Sequence, residues 1–355
     1  MRKLPPRNGV KVEKLNTLLI DGNALFKRGY LGSPDALNNN GDHVGGIYQF
    51  VTVLKKLLLK DVFHKVYVFW DGNFSGKLRW EIYSDYKIAR GKDYENGTEP
   101  EDINEKYQQF LVKGYLHDLS IRQLTDEVIE ADDFIAFYCL SKLDNEDITI
   151  CTSDRDICQL ISDDIKIYLC DKKEYVTTKN YNDYFKHYYK NVVLIKQIAG
   201  DDSDSIVGIQ GVKEPTLLKH FPILKERECT LDEILLEAQR LQDERKAEKK
   251  KPLKALTNII ERVTVGVQGT AIYEVNDRLV NLTQPMLTKS GIEDFHTMLE
   301  EPLSEDRDIK NVYKMMERDG VDQLLSEYYM TDYFLPFKKL IDRENRMTNK
   351  QRIES

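Results

Sequence analysis

Acidic residues recur in this sequence at the points where short β-rich runs end. Leu15–Ile20 (LNTLLI) runs into Asp21-Gly22-Asn23, Lys65–Trp70 (KVYVFW) into Asp71-Gly72, and Asp147–Thr152 (DITICT) into Ser153-Asp154-Arg155-Asp156. Ligands of open parallel sheets bind outside the carboxyl ends of the strands, so carboxylates from distant segments would meet along one edge. Glu130, Asp132 and Asp133, at the start of a helical stretch, add a further group. Carboxylates gathered this closely repel one another unless cations neutralise them. Hard oxygen donors select Mg²⁺ or Mn²⁺ over zinc, so the chemistry on offer is that of a divalent-metal site. Singly, each acid has a plainer reading. Aspartate favours helix N-caps and turns, and Glu130, Asp132 and Asp133 could complement a helix dipole. Recurrence at successive strand ends, in a chain without a His or Cys cluster, favours the metal reading.

The elements that must position these acids alternate. Gly45–Lys60 (GGIYQFVTVLKKLLLK) has apolar residues at helical spacing between the first two β-rich runs. A short helix from about Arg155 and a strand at Asp164–Cys170 (DIKIYLC) continue the pattern. This predicts a doubly wound α/β domain with a parallel sheet. The stretch Lys77–Tyr115 is long and polar for a crossover, a common sign of function. Its first part, Lys77–Lys92, carries five basic residues against two acidic ones. Arg79, Tyr83, Lys87 and Arg90 are spaced to share one helix face, which taken alone describes an exposed amphipathic helix. From about Tyr181 helical patterns dominate: Asn191–Ala199, Thr230–Lys251 with its basic end, and Asp308–Leu325, while VTVGVQ (Val263–Gln268) reads as a strand. The predicted organisation is a polar leader at 1–14, an α/β domain at 15–185 and a mainly helical domain at 186–355.

With 355 residues, 41% hydrophobic and 32% charged, the chain has the composition of a globular protein of roughly two domains. No apolar run is long enough to span a bilayer, and MRKLPPRNGV lacks the apolar stretch of a secretory signal, so a cytoplasmic protein without a membrane partner is expected. Cys139, Cys151, Cys158, Cys170 and Cys229 form no C-x-x-C pair and read as reduced core thiols. A net charge of −8 alone argues against a nucleic-acid partner. Because the acids are concentrated in a few segments and the bases in others, that total remains compatible with a metal-loaded site flanked by basic tracks.

LLIDGNAL, VFWDG, VIEADDFIA, TSDRDICQL and IAGDDSDSIVGIQGV, in this order, resemble the signature of the 5′-nuclease family, which includes flap endonucleases, phage 5′-exonucleases and the 5′-nuclease domain of bacterial DNA polymerase I. The resemblance covers about Leu15 to Thr216. It implies a PIN-like or resolvase-like parallel-sheet nuclease core, a helical arch at about 77–115, and a helical domain with a helix-hairpin-helix-like motif. It also implies two Mg²⁺ per site, replaceable by Mn²⁺. Asp21, Asp71, Glu130 and Asp132 would bind the first ion. Asp133, Asp154, Asp156, Asp201 and Asp204 would complete the site, with Asp154, Asp156 and Asp201 nearest the second. Two ions roughly 4 Å apart activate a water and stabilise the leaving oxygen during in-line attack.

By the same resemblance Lys87 and Arg90 are the catalytic cations of the arch, standing near the scissile phosphate. Arg79, Tyr83, Tyr86 and Lys92 would contact substrate, the aromatic rings by stacking on a displaced base. Gly208, Gly211, Lys213 and Lys219 would meet a phosphate at the hairpin. Lys213 and Pro215 stand where the family pattern has a glycine and a basic residue, which speaks against the family's K⁺ site there. The implied partners are branched, nicked or 5′-ended DNA and RNA–DNA hybrid, with a single-strand-binding protein or clamp as a candidate protein partner and a monomer as the working form. Bacterial or phage-infected cytoplasm would be the setting. Competing readings are a PIN-like ribonuclease, usually shorter and without the GDDSDSIVGIQG segment, and a non-catalytic junction-binding protein. A haloacid-dehalogenase-like phosphatase would want an acid where Asn23 stands.

Overall fold

The computed structural model describes residues 14–91, 103–266, 268–302, 307–325 and 330–354. Lys92 and nearly all of the leader lie outside the described residues. The apolar runs form strands because side chains that alternate between faces find helices on both. β1 (Leu15–Asp21), β2 (Lys65–Asp71), β3 (Arg122–Asp126), β4 (Glu146–Thr152) and β5 (Ile165–Leu169) are parallel, and β6 (Glu174–Val176) is an antiparallel edge. The order β3-β2-β1-β4-β5-β6 puts the reversal of winding between β1 and β4, where sheets of this kind open a crevice at the carboxyl ends. Ile20 pairs with Cys151, so the chain leaves both strands at the same level.

On one face Leu18, Ile20, Val66, Val68 and Trp70 pack against α1 (Gly22–Gly32), α2 (Gly45–Lys60) and α4 (Ile103–Asp118), which follows the single-turn α3 (Lys77–Trp80). On the other, Leu19, Tyr67, Phe69, Ile148 and Ile150 pack against α5 (Ala131–Leu140). A separate core built on Ile198, Leu217, Phe221, Ile259 and Tyr273 joins α6 (Val192–Ala199), α7 (Glu214–His220), α8 (Leu231–Ala247), α9 (Lys254–Ile260) and α10 (Ile272–Val280). Between α6 and α7 runs a hairpin of β7 (Gly200–Asp201) and β8 (Ile206–Val207).

The rest of the chain returns to the sheet instead of extending the helical core. α11 (Lys289–Glu300) places Phe295 against Phe69 and Phe134, with ring centroids 6.2 Å apart in both pairs. α12 (Ile309–Arg318) and α13 (Met330–Glu354) bring Val312, Met316, Phe337 and Leu340 to the core of the opposite face. Beyond residue 186 the described residues are mostly helical, interrupted by the β7–β8 hairpin, and the final helices share the cores of the α/β layer. VTVGVQ is not a strand over its described residues. Its polar groups serve the neighbouring hairpin: the Val263 carbonyl accepts from Gln210 N–H at 2.9 Å and the Thr264 hydroxyl donates to the Gly208 carbonyl at 3.3 Å. All five cysteines are buried free thiols. Among the described residues no helix is long and apolar enough to cross a membrane.

Candidate active site

The carboxyl ends of the strands open into a cleft of about 1350 Å³ whose lining includes Asp21, Asp71, Glu130, Asp132, Asp154 and Asp156. Asp21 ends β1 and caps α1, accepting from Ala24 N–H at 2.9 Å, and its other oxygen accepts from the Thr152 hydroxyl at 2.9 Å. The N-cap role does not take Asp21 out of the cleft: the cap fixes one carboxylate edge, and the residue still lines the opening. Asp71, at the end of β2, accepts from Ala131 N–H at 2.8 Å and ties that strand to the first turn of α5. Glu130 is the N-cap residue of α5, and Asp132 follows one residue inside it.

Burial and the neighbouring Asp71 carboxylate push Asp21 up to about 7. Burial, then Asp21, Asp154 and Asp71, pushes Asp132 well above the usual carboxylate range. Both shifts come from charge that lacks an opposite partner, and an all-oxygen donor set in that state fits hard divalent cations. Glu130 differs: burial opposes its ionisation, but the Lys87 ammonium and the Arg79 guanidinium outweigh burial and hold the carboxyl at about 2. Beside this group, Asp156, Asp201 and Asp204 bring carboxylate oxygens within 4.8 Å of one another, a spacing one cation can bridge.

Lys87 and Arg90 also line the cleft. The Lys87 ammonium is bonded to Glu130, and Arg90 pairs with Asp204 at 2.6 Å while donating its Nε–H to the Ser203 carbonyl at 2.9 Å. They do not share a helix face with Arg79 and Tyr83. The helix stops at Trp80, and Lys87 takes a left-handed φ of 56° before a short 3-10 turn at Ile88–Arg90. Tyr83 and Tyr86 are buried against Ile206, Leu279 and Val280, so neither ring is open to a nucleobase. The Tyr86 hydroxyl instead donates to Glu130 at 3.1 Å.

Arg79 and Asp133 are likewise internal. Arg79 is 4% exposed, and its guanidinium pairs with Glu130 at 2.6 Å and with Asp133 Oδ1 at 2.9 Å and donates to the Leu279 carbonyl at 2.8 Å. Asp133 also accepts from Met286 N–H at 2.9 Å. Successive helical residues point about 100° apart, so Asp132 enters the cleft and Asp133 turns into the protein. Arg79→Met is expected to cost about 3–5 kcal/mol, because it strands buried carboxylate charge. Urea unfolding measures this, and a change below about 1 kcal/mol would remove the structural role.

At the hairpin, Gly208 is required by the chain's own packing: a Cβ there would lie 2.1 Å from the Ala199 carbonyl carbon. Gly211 has φ +75° and open space around it. Lys213 pairs with Asp202 at 2.6 Å and Lys219 is exposed in the last turn of α7, both outside the cleft lining.

Residues 16–189 match the profile of the 5′-3′ exonuclease N-terminal resolvase-like domain. Over 212 residues the chain is 30% identical to a 5′-3′ exonuclease of Halalkalibacterium halodurans, covering 57% of this chain and 67% of that relative. The chain belongs to the 5′-nuclease family. Against DNA polymerase I of Bacillus subtilis it is 27% identical over 232 residues, 62% of this chain but only 25% of the polymerase, so it spans about a quarter of that relative. The bacteriophage T5 flap endonuclease, solved as a pseudo-enzyme-product complex with DNA and metal ions, has the same fold, with a TM-score of 0.55 at 18% identity over 91% of this chain and 99% of that one.

This 5′-nuclease cleft also contains residues that sequence patterning passed over. Asn23, Lys27 and Leu31 repeat every four residues on α1, and Lys106, Phe110 and Lys113 recur at four and three on α4; all six line the cleft. Phe110 is 70% exposed and Leu31 69%. Helical spacing was the available signal for both rows. Lys196, in the otherwise apolar run VVLIKQIA of α6, contacts Asp156 and Asp201. A single lysine in such a helix announces nothing until the fold brings its partners.

Proposed function

We propose that this chain is a structure-specific 5′-nuclease, a 5′-3′ exonuclease and flap endonuclease that hydrolyses phosphodiesters in branched, nicked or 5′-ended DNA and in RNA–DNA hybrid during replication or repair. The observation that carries this reading is the convergence of Asp21, Asp71, Asp132 and Asp154 on one open cleft that also presents Lys87 and Arg90. Asp21, Asp71, Glu130 and Asp132 would hold one divalent cation and Asp154, Asp156 and Asp201 a second, with Asp204 beside them; Mg²⁺, replaceable by Mn²⁺, would supply charge that acidifies an attacking water and stabilises the leaving oxygen. The contribution of the chain itself is preorganisation. Asp21 is oriented by Ala24 and Thr152 before substrate arrives. Lys87 and Arg90 bring fixed positive charge to the place where a phosphate gains negative charge. Lys27, Lys106 and Lys113 suit a strand's backbone, and the exposed Phe110 ring offers a base a stacking face. We place the enzyme in the cytoplasm, where its nucleic-acid substrates would be.

The deciding experiment compares 5′-labelled flap, nicked duplex and RNA–DNA hybrid with Mg²⁺ and with EDTA. Cleavage near the flap junction with Mg²⁺, and none with EDTA, is the expected outcome. Activity that survives EDTA would sink the metal-dependent reading, and binding without cleavage of any substrate would leave only a junction-binding protein.

A further inference from the structure

The acidic site is neutralised unevenly. Among the described residues Asp21 and Asp132 have no cationic partner, and the charges acting on them come from other carboxylates. Asp156, Asp201 and Asp204 do have cations. The Lys196 ammonium bonds to Asp156 Oδ1 and lies 2.5 Å from Asp201 Oδ2, while Arg90 pairs with Asp204. Lys196 rises from α6 beside Leu194, Ile195 and Ile198, which are buried in the helical core, and its own side chain is 19% exposed. It is therefore a single charge on an apolar helix, directed into a trio of carboxylates spaced for one cation.

We propose that Lys196 is a built-in placeholder for the second divalent cation: its ammonium bridges Asp156 and Asp201 in the metal-free protein and must leave before a divalent ion can take both carboxylates. The proposal rests on the metal-dependent reading above. One ammonium shared by two carboxylates neutralises only one of them, so a doubly charged ion can replace it with electrostatic gain. That exchange breaks two charge-assisted hydrogen bonds. An ion held by Asp21 and Asp132 displaces no cation from either and relieves repulsion outright, while Glu130, already paired with Lys87 and Arg79, contributes less to that site. The two ions consequently bind with unequal affinity, and the weaker step is the one at Lys196. A lysine suits the task, since its compact charge sits on a flexible stem that can swing away, whereas a planar guanidinium would hold two carboxylates more rigidly.

The test is a Mn²⁺ titration of the full chain without nucleic acid, followed by the electron paramagnetic resonance signal of free Mn²⁺. Wild type should bind in two steps. Lys196→Met should tighten the weaker step by about tenfold or more and move the tighter one by less than about twofold. Asp132→Asn should weaken the tighter step. In EDTA, Lys196→Met should melt at a lower temperature than wild type, and Mn²⁺ should close the gap. Lys196→Gln keeps a polar amide and reads the same quantities should the methionine variant fail to fold. A weaker step that is unchanged or further weakened in the Lys196 variants overturns the placeholder alone. Wild type that binds no Mn²⁺ overturns the placeholder together with the metal reading.

Discussion

Asp132→Asn is expected to abolish cleavage, lowering the single-turnover rate with Mg²⁺ by about three orders of magnitude, equivalent to roughly 4 kcal/mol of transition-state stabilisation. The substitution keeps the shape and one acceptor oxygen and removes the charge. That charge matters because Asp132 is the residue of the group on which burial and the carboxylates of Asp21, Asp154 and Asp71 act together. The same fact fixes the sign of a second effect. A carboxyl whose folded-state pKa lies above its unfolded value is costly to ionise in the native protein, so around neutral pH its charge opposes folding when no cation is bound. Metal-free Asp132→Asn should therefore melt at or above the wild-type temperature, while Mg²⁺ should raise its melting temperature less. The adjacent Asp133→Asn should behave oppositely, losing stability through its broken pairing with Arg79. Wild-type cleavage by Asp132→Asn would refute the assignment, and equal stability losses in both variants would show that the two acids share a structural role.

Asp21, Asp71 and Asp154 are legible in the sequence because each follows an apolar run of the kind that forms a strand buried on both faces. Asp132 and Asp133 cannot be separated at that level. Which of two consecutive acids enters the cleft depends on how α5 is rotated about its axis, and packing of Phe134 and Ile135 into the core decides it. Arg79 reads as a surface base until Asp133, 54 residues away, is placed beside it. The edge strand β3, RQLTD, is too polar to announce itself. The final helices pose a different problem. An amphipathic pattern in α12 and α13 says that one face is buried and leaves open against what. The answer lies far back in the chain, where Phe337 and Leu340 join the core containing α2, and Arg343 donates to the Phe63 carbonyl at 2.7 Å.

Lys87 is where backbone and side chain point to the same conclusion. A non-glycine residue at φ 56° is uncommon, and such a position costs on the order of 1 kcal/mol unless its surroundings impose it. Here Lys87 N–H donates to the Asp204 carbonyl at 2.9 Å, and the side chain reaches Glu130 across the cleft lining. Glycine would take this backbone with less strain but could not deliver an ammonium. Lys87→Gly and Lys87→Met are both expected to lower kcat on a 5′ flap by about 100- to 1000-fold, the range for removing one preorganised charge-stabilising group. Lys87→Arg should recover part of the loss. Flap affinity, measured by fluorescence anisotropy with Ca²⁺ in place of Mg²⁺, should change by less than about tenfold, since the ammonium acts on charge that develops in the transition state. The glycine variant is the sharper test, because it relieves the backbone while deleting the charge. If it cleaved at the wild-type rate, Lys87 would be a structural partner of Glu130 and nothing more. If kcat held and affinity collapsed, its role would be to bind the ground-state phosphate, not to stabilise the transition state.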